Sequence, residues 1–383
     1  MTDDLLDPAN PALLPAGLSD LLPPEAAREA ALVEAMMAVF ASHGYERVKP
    51  PLLEFEEGLL TGSGAALAEQ TFRLMDPVSQ RMMGLRADTT PQVARIAATR
   101  LRGAPRPLRL SYAGQVLRVR GTQIAPGRQL PQLGVELIGV DSAEADAEVA
   151  ALGVEALAAV GIADVALDIT LPAMSPALLD AAGLEGAARH RLARALDRKD
   201  AAEVARLAEM AGPPAIFLTE LLAAAGPADG ALAALRAAPL PEEPRRIADN
   251  AAEVVAALRR RLPGLRITLD PVEFRGFRYH TGAAFTLYGP GRTGELGRGG
   301  RYRSGEEAAT GLSLYPDAAL RASPVPAEPR RVFLPAGHDP SAAASLRRAG
   351  FVTIAALSPA DDAQGLGCTH ELRGTQAVPL SKE

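Results

Sequence analysis

Four segments of the chain place charged and hydroxyl-bearing side chains where a bland core would not. The first is Leu85-Arg86-Ala87-Asp88-Thr89-Thr90-Pro91. A carboxylate and hydroxyls just ahead of a proline are residue types that cap a helix start. The same groups can receive a ligand, with Asp88 taking an ammonium group and Thr90 adding a hydrogen bond. The second is Leu117-Arg118-Val119-Arg120, which leads through a Gly/Pro loop to Gln132-Leu133-Gly134-Val135-Glu136. Period-two alternation predicts Arg118 and Arg120 on one face of a strand, facing Gln132, Gly134 and Glu136 on its partner. That pairing is either a cross-strand ion pair or a grip on a carboxylate or phosphate, since the guanidinium fork suits bidentate oxyanions. Gly134 opposite the pair leaves space beside the charges and favours a pocket.

The third segment, Glu273-Phe274-Arg275-Gly276-Phe277-Arg278-Tyr279-His280-Thr281-Gly282, reads as aromatic hairpin packing or as a site built around His280. An isolated histidine is more often structural than catalytic. The fourth, GELGRGGRY from Gly294 to Tyr302, lacks the strand-to-helix setting and the Lys-Ser/Thr of a phosphate loop. Glycines that let strands approach closely are the better reading, with Tyr302 closing a pocket wall.

The elements that must position these residues follow from periodicity and punctuation. Pro23-Pro24-Glu25 opens a helix with apolar residues at Ala26, Ala30, Val33, Met37 and Phe40, closed by His43-Gly44. Strands are predicted over 45–48 and 52–55, and a hairpin over 72–85 turns at Asp76-Pro77. A helix from Thr90 to Leu101 follows, then β-rich runs 108–120 and 131–140, a helix 143–160 and a strand 165–169. From Pro176 to Leu262 the chain is almost all Ala, Leu, Arg and Glu, which predicts four or five short helices. Strands return at 265–269, 279–288 and 296–302. A proline-rich linker at 322–329 precedes a β-α-β tail. The fold class is therefore α+β, an antiparallel sheet flanked by helices. The expected domains are a core over 1–175 and 263–321, a helical insertion over 176–262, and a linker with a small α/β segment over 322–383.

Composition narrows the chemistry. The single cysteine, Cys368, excludes a disulfide framework and a thiolate cluster, and the five histidines form no HxxxH or HxH pair. No metal and no cofactor is expected. Of 40 basic residues only Lys49, Lys199 and Lys382 are lysine, and none follows a phosphate-cradling glycine loop. A net charge of −6 argues against a blanket attraction for nucleic acid. The N-terminus has no basic and apolar signal pattern, and the alanine-rich run 150–167 carries Glu155 and Asp164. The expectation is a cytoplasmic protein with no membrane contact.

Taken in order, GYERVKPPLLE, LRADTTPQVAR, VLRVRG…QLGVELIG, RGFRYHTGAAF and GRGGRY resemble a class II aminoacyl-tRNA synthetase core of the histidyl type, from about Leu14 to Leu320. Within that superfamily the wording is most similar to the regulatory subunits of ATP phosphoribosyltransferase, synthetase paralogues of histidine biosynthesis. The resemblance implies an amino-acid-like pocket of Asp88, Thr90, Gln132, Glu136, Tyr279 and Tyr302. Arg118 and Arg275 stand at positions that handle ATP and the carboxylate. It also implies a degenerate ATP site. Arg120 stands where synthetases carry a glutamate, and Ala318 stands where they carry the arginine that lies against the phosphates. Deleting one preorganised charged donor costs ~10²–10³ in rate. Pro316 is expected to break the helix that should begin there. Tyr279-His280 replaces a tyrosine pair.

By this resemblance the protein is non-catalytic and partners the short-form ATP phosphoribosyltransferase catalytic subunit. It forms a homodimer around Pro51 within a hetero-oligomer, with histidine as the feedback ligand. The competing functions are a histidyl-tRNA synthetase or other amino-acid-activating enzyme, and an RNA-binding module. The tail of about 55 residues looks too short for a complete anticodon-binding domain, which weighs against tRNA charging.

Overall fold

The structure is a computed structural model that describes residues 13–121, 126–211, 213–273, 280–291 and 294–380. Two compact units divide the chain, Met1–Ser323 and Pro324–Glu383.

In the first unit, α1 (Glu25–Ser42) buries Leu32, Met36, Met37 and Phe40 along one stripe. Gly44, at φ +81°, turns the chain into β1 (Glu46–Arg47). β2 (Leu53–Phe55), α2 (Glu56–Leu59), a 3-10 segment (Gly62–Gln70), β3 (Arg73–Met75) and β4 (Met82–Leu85) follow. These strands make a small sheet in the order β2-β4-β3, with the predicted hairpin turning at Asp76. Then come α3 (Thr90–Thr99), β5 (Leu108–Leu117), β6 (Gln129–Ile138), α4 (Ala143–Ala159) and β7 (Ala166–Thr170).

The alanine-rich run is explained by α4. Ser142 caps it by accepting the Ala145 N–H, and its small residues let the helix lie close on the sheet. A Cβ on Gly153 would sit 2.6 Å from Leu312 Cδ2 and 2.7 Å from Leu287 Cδ1. Each fully buried leucine in this layer contributes about 1.5–3 kcal/mol.

The segment expected as four or five short helices holds six: α5 (Met174–Ala181), α6 (Gly186–Asp197), α7 (Ala201–Ala211), α8 (Pro213–Ala223), α9 (Ala228–Ala237) and α10 (Glu242–Arg261). A two-residue strand, β8 (Gly226–Pro227), lies between α8 and α9. α10 runs for 20 residues, its acidic first turn and Arg259-Arg260-Arg261 last turn both matching the helix dipole. Val204, Leu207, Leu232, Val254 and Leu258 of these helices belong to the same buried cluster as α1, α4 and the sheet.

β9 (Arg266–Asp270), β10 (His280–Tyr288), β11 (Glu295–Ser304), β12 (Glu307–Leu314) and α11 (Pro316–Ala322) complete the unit. The main sheet has nine strands in the order β1-β5-β6-β12-β11-β10-β7-β9-β8. Its centre, from β5 to β7, is antiparallel throughout. The α+β class holds.

Two sequence expectations need correction. Pro316 does not break a helix; it opens α11 at the first turn, where a missing N–H costs nothing. β5 ends at Leu117, so Arg118 and Arg120 do not face the Glu136 strand. The register pairs Glu136 with Leu110, seven residues before Leu117; the Arg118 N–H still donates to Arg128 O at 2.7 Å across the hairpin, and only then does the Val119 N–H turn to Gln70 O at 3.0 Å.

The second unit packs β13 (Arg331–Leu334), α12 (Pro340–Arg348) and β14 (Val352–Ala355) as expected. It adds β15 (His370–Arg373) and β16 (Gln376–Pro379), giving the sheet order β14-β13-β15-β16. Val332, Leu334, Ala342, Ala343, Leu346 and Leu372 form its core.

Candidate functional site

Strand register places the site. Residues paired directly across neighbouring strands share a face. Arg298, Ser313, Gly134 and Tyr112 form one such row over β11, β12, β6 and β5. Gly300, Gly311, Glu136 and Leu110 form the next row on the same face. The start of α3 closes over them, bringing Asp88 and Thr90.

At the deep end the polar groups bond one another in a continuous chain. Asp88 Oδ1 accepts the Thr90 N–H at 2.9 Å and the Gln132 Nε2 group at 3.2 Å. Gln132 also donates to Ser313 Oγ at 3.0 Å, while its Oε1 accepts the Thr89 N–H at 3.0 Å. Tyr112 OH lies 2.9 Å from Ser313 Oγ and 3.3 Å from Thr90 Oγ1. Tyr302 OH donates to Glu136 Oε2 at 2.7 Å. Capping and ligand reception are therefore compatible at Asp88. One oxygen caps the first turn of α3, and its Oδ2 accepts no hydrogen bond among the described residues.

Glu136 is completely buried. Burial pushes its carboxyl up to about 8, against the opposing hydrogen bonds from Tyr302 and Thr90, with the Asp88 charge adding to the rise. It fits only because Gly311 faces it; a Cβ there would overlap the carboxylate. Gly134 makes room in the same way, but for Tyr112: a Cβ would sit 2.5 Å from the phenol oxygen. The space that glycine leaves is occupied by protein, not by a ligand.

His280 stands directly opposite Tyr302. Burial, helped by the Arg298 charge, pulls its imidazole down to about 4, so it is neutral near pH 7.

Behind the sheet, Thr310 and Arg301 point the other way and meet Asp146 of α4. Thr310 Oγ1 donates to Asp146 Oδ1 at 2.5 Å, Arg301 Nη2 lies 2.8 Å from Asp146 Oδ2, and Arg301 also pairs with Asp141. This ion pair anchors the residues next to Gly311 and Tyr302.

The mouth of the cleft is looser. Arg118 is half-buried and Arg120 is exposed. Tyr315 follows β12 and is half-buried. Burial raises its phenol, with Arg298 and Arg118 opposing and Glu295 and Asp88 reinforcing. Arg298 is paired with Glu295. Ala318 is buried against the core from α11 and brings no charge to the cleft.

Of the residues singled out from sequence, Asp88, Thr90, Gln132, Glu136 and Tyr302 come together, with Arg118 at the rim; Arg120 points away into solvent. Arg275 and Tyr279 lie outside the described residues. Tyr112, Ser313, Gly311, Arg298 and Tyr315 were not anticipated. Strand parity with Gly134 and Glu136 is the signal that would have found the first two. No group of three or more His, Cys, Asp or Glu residues able to hold a metal occurs among the described residues.

The family model for histidyl-tRNA synthetase matches residues 17–319. The ATP phosphoribosyltransferase regulatory subunit of Rhodospirillum centenum is 55% identical over 378 residues, covering 97% of this chain and 96% of that protein. That of Paramagnetospirillum magneticum is 53% identical over 373 residues, covering 96% and 98%. This chain belongs to the ATP phosphoribosyltransferase regulatory subunit family.

Its fold agrees with that placement. A crystal structure described as an ATP phosphoribosyltransferase regulatory subunit/histidyl-tRNA synthetase from Bacillus halodurans C matches with TM-score 0.78 at 25% identity, covering 92% of this chain and 95% of that one. A histidyl-tRNA synthetase from Nostoc sp. PCC 7120 matches in fold, with TM-score 0.77 at 20% identity over 94% and 90%. The buried polar cleft described above lies within the matched residues, and alanine occupies position 318. No helix among the described residues is long and apolar enough to cross a membrane.

Proposed function

We propose that this chain is the non-catalytic regulatory subunit of ATP phosphoribosyltransferase, in the first step of histidine biosynthesis. It activates the short catalytic subunit and conveys feedback by histidine, which occupies the Asp88–Glu136 cleft. The observation that carries the reading is 55% identity along nearly the whole chain to a protein of that name. The cleft supports the ligand assignment: Asp88 offers a free carboxylate oxygen for an ammonium group, and Arg118 at the rim supplies a cation for a carboxylate. Coupling of 1–3 kcal/mol between cleft and partner is sufficient for such feedback. Mixing the chain with a short transferase and following pyrophosphate release tests it. Activity and histidine sensitivity should both depend on its presence; identical values with and without it end the reading.

Synthetase activity is lost in this proposal. Ala318 and Arg120 replace the charges that the resemblance assigns to ATP handling, and histidine-dependent ATP–pyrophosphate exchange should stay at background. The chain also pairs with a second copy around Pro51. Support comes from Leu52, Leu53, Leu74, Met75 and Met82, exposed apolar residues clustered on and beside the β2-β4-β3 sheet. Met75→Lys should shift the sedimentation coefficient toward that of the monomer; an unchanged coefficient refutes this interface.

A further inference from the structure

Register and alternation bring one more side chain to the cleft than the hydrogen-bonded group at its deep end. Along β12 and its continuation, Gly311, Ser313 and Tyr315 point to the same face. Gly311 backs Glu136, and Ser313 bonds Gln132 and Tyr112. Tyr315 is the next step toward the rim.

Its backbone stays extended, at φ −112° and ψ 95°, and its N–H donates to Leu296 O at 2.9 Å. Pro316 then starts α11 and fixes the exit of the chain. The phenol lies in the fields of Asp88 and Arg118 on the ligand side and of Glu295 and Arg298 beyond. The last two are paired with each other, and Arg298 belongs to the same face as Ser313. From Gly311 to Tyr315 the strand advances about 13–14 Å. Glu136 projects into one end of that interval, and extended backbone carries the alternation to Tyr315 at the other, where it also packs against the buried core that holds Ala318 and Ala319.

We propose that Tyr315 is a specificity-determining wall that ends the cleft just past the ligand's carboxylate, so that the site accepts a free amino acid and rejects carboxyl-substituted forms. Esters, amides and acyl-nucleotides all extend from the carboxyl carbon. That is the direction in which Tyr315, backed by the Arg298–Glu295 pair, fills the space. This inference rests on the reading of the cleft as an amino-acid site, and it adds a residue and a chemical criterion to it. Feedback then responds to the free end product and ignores the same amino acid once it is esterified.

Isothermal titration of the full chain tests the wall with three probes: L-histidine, L-histidine methyl ester and 5′-O-sulfamoyladenosine. The proteins are wild type, Tyr315→Phe and Tyr315→Ala. The quantity read is the ratio of ester to histidine dissociation constants, because loss of the carboxylate charge alone weakens the ester equally in every variant. Tyr315→Ala should lower that ratio at least tenfold, and Tyr315→Phe should leave it within twofold. An unchanged ratio in Tyr315→Ala overturns the proposal.

If wild type binds no histidine, the amino-acid reading fails by itself. The sulfamoyladenosine probe then decides the wall: binding by Tyr315→Ala and not by wild type supports it, and equal behaviour of the two overturns it. Should Tyr315→Ala melt early, Tyr315→Leu keeps apolar bulk near the backbone while removing the ring's reach. The same ratio is then read on that variant.

Discussion

The deep end and the mouth of the cleft share β5, β6, β11 and β12, yet they are built on opposite terms. At the deep end, strands are paired on both sides and the polar side chains bond one another, leaving only single atoms such as Asp88 Oδ2 and Glu136 Oε1 without a hydrogen bond among the described residues. Glu136 is held by Tyr302, Gln132 by Thr89, Asp88 and Ser313, and the face behind is pinned by Asp146. At the mouth the strands have ended. Arg118 follows β5, Tyr315 follows β12, and Arg120 is in solvent. Deleting one member of a buried network strands its partners away from water, so the deep end tolerates little change. The mouth can vary without disturbing the fold.

Mutations can break or sharpen this contrast, and the largest effect is expected behind the deep end. Asp146→Ala leaves Arg301 buried with only the exposed Asp141 as partner, and should cost about 3–5 kcal/mol in urea unfolding. A loss below about 1 kcal/mol would mean that the deep end is not held from behind. Gly311→Ala comes next. Overpacking against Glu136 should cost about 1–3 kcal/mol and abolish detectable histidine binding. Unchanged binding would show that the glutamate has room to move.

A pH series probes the same carboxyl. Between pH 4.5 and about 8 folded Glu136 keeps a proton that the unfolded chain has released, so its contribution to stability is lost as pH rises through that window. Glu136→Gln should flatten the corresponding slope in a melting series from pH 4.5 to 8; an equal slope in both proteins would place the carboxyl in contact with water. The smallest effect belongs to the mouth. Arg298→Ala removes a partly exposed pair with Glu295 and should shift stability by less than about 1 kcal/mol. A loss comparable to that of Asp146→Ala would erase the distinction between the two ends.

Legibility followed the same divide. Asp88, Thr90, Gln132, Glu136 and Tyr302 stand in regular elements, where alternation and helix-start chemistry determine facing, and these were readable from the chain. Arg118 and Arg120 do not face Glu136 because alternation gives the face of a strand but not its register, which pairs Glu136 with Leu110; past Arg118 the backbone also turns to bond Gln70. Pro316 was misread because a proline that breaks a helix and one that starts it look alike without knowing where the strand stops. Gly134 was read as room for a ligand, but the hydroxyl that fills that room comes from Tyr112 on another strand. The helical segment gave its composition but not its count, since Ala-Leu-Arg-Glu sequence marks helix without marking its ends. β15 and β16 were missed in the tail, where each strand has only four residues.

The position of β12 between β6 and β11 also sets the order in which the cleft can be made. Ala309 of β12 pairs with Ile138 of β6, so the two sides of the pocket floor come from distant parts of the chain. Pairings of that separation form slowly, because the loop must close before the contacts reward it. During synthesis the β5–β6 hairpin waits with an unpaired edge until β12 has emerged, an aggregation-prone interval. Glu136 and Gly311 meet only in that last pairing. A molecule that binds the finished cleft therefore favours the completed sheet by mass action, so the ligand proposed for it would assist the maturation of the site that receives it.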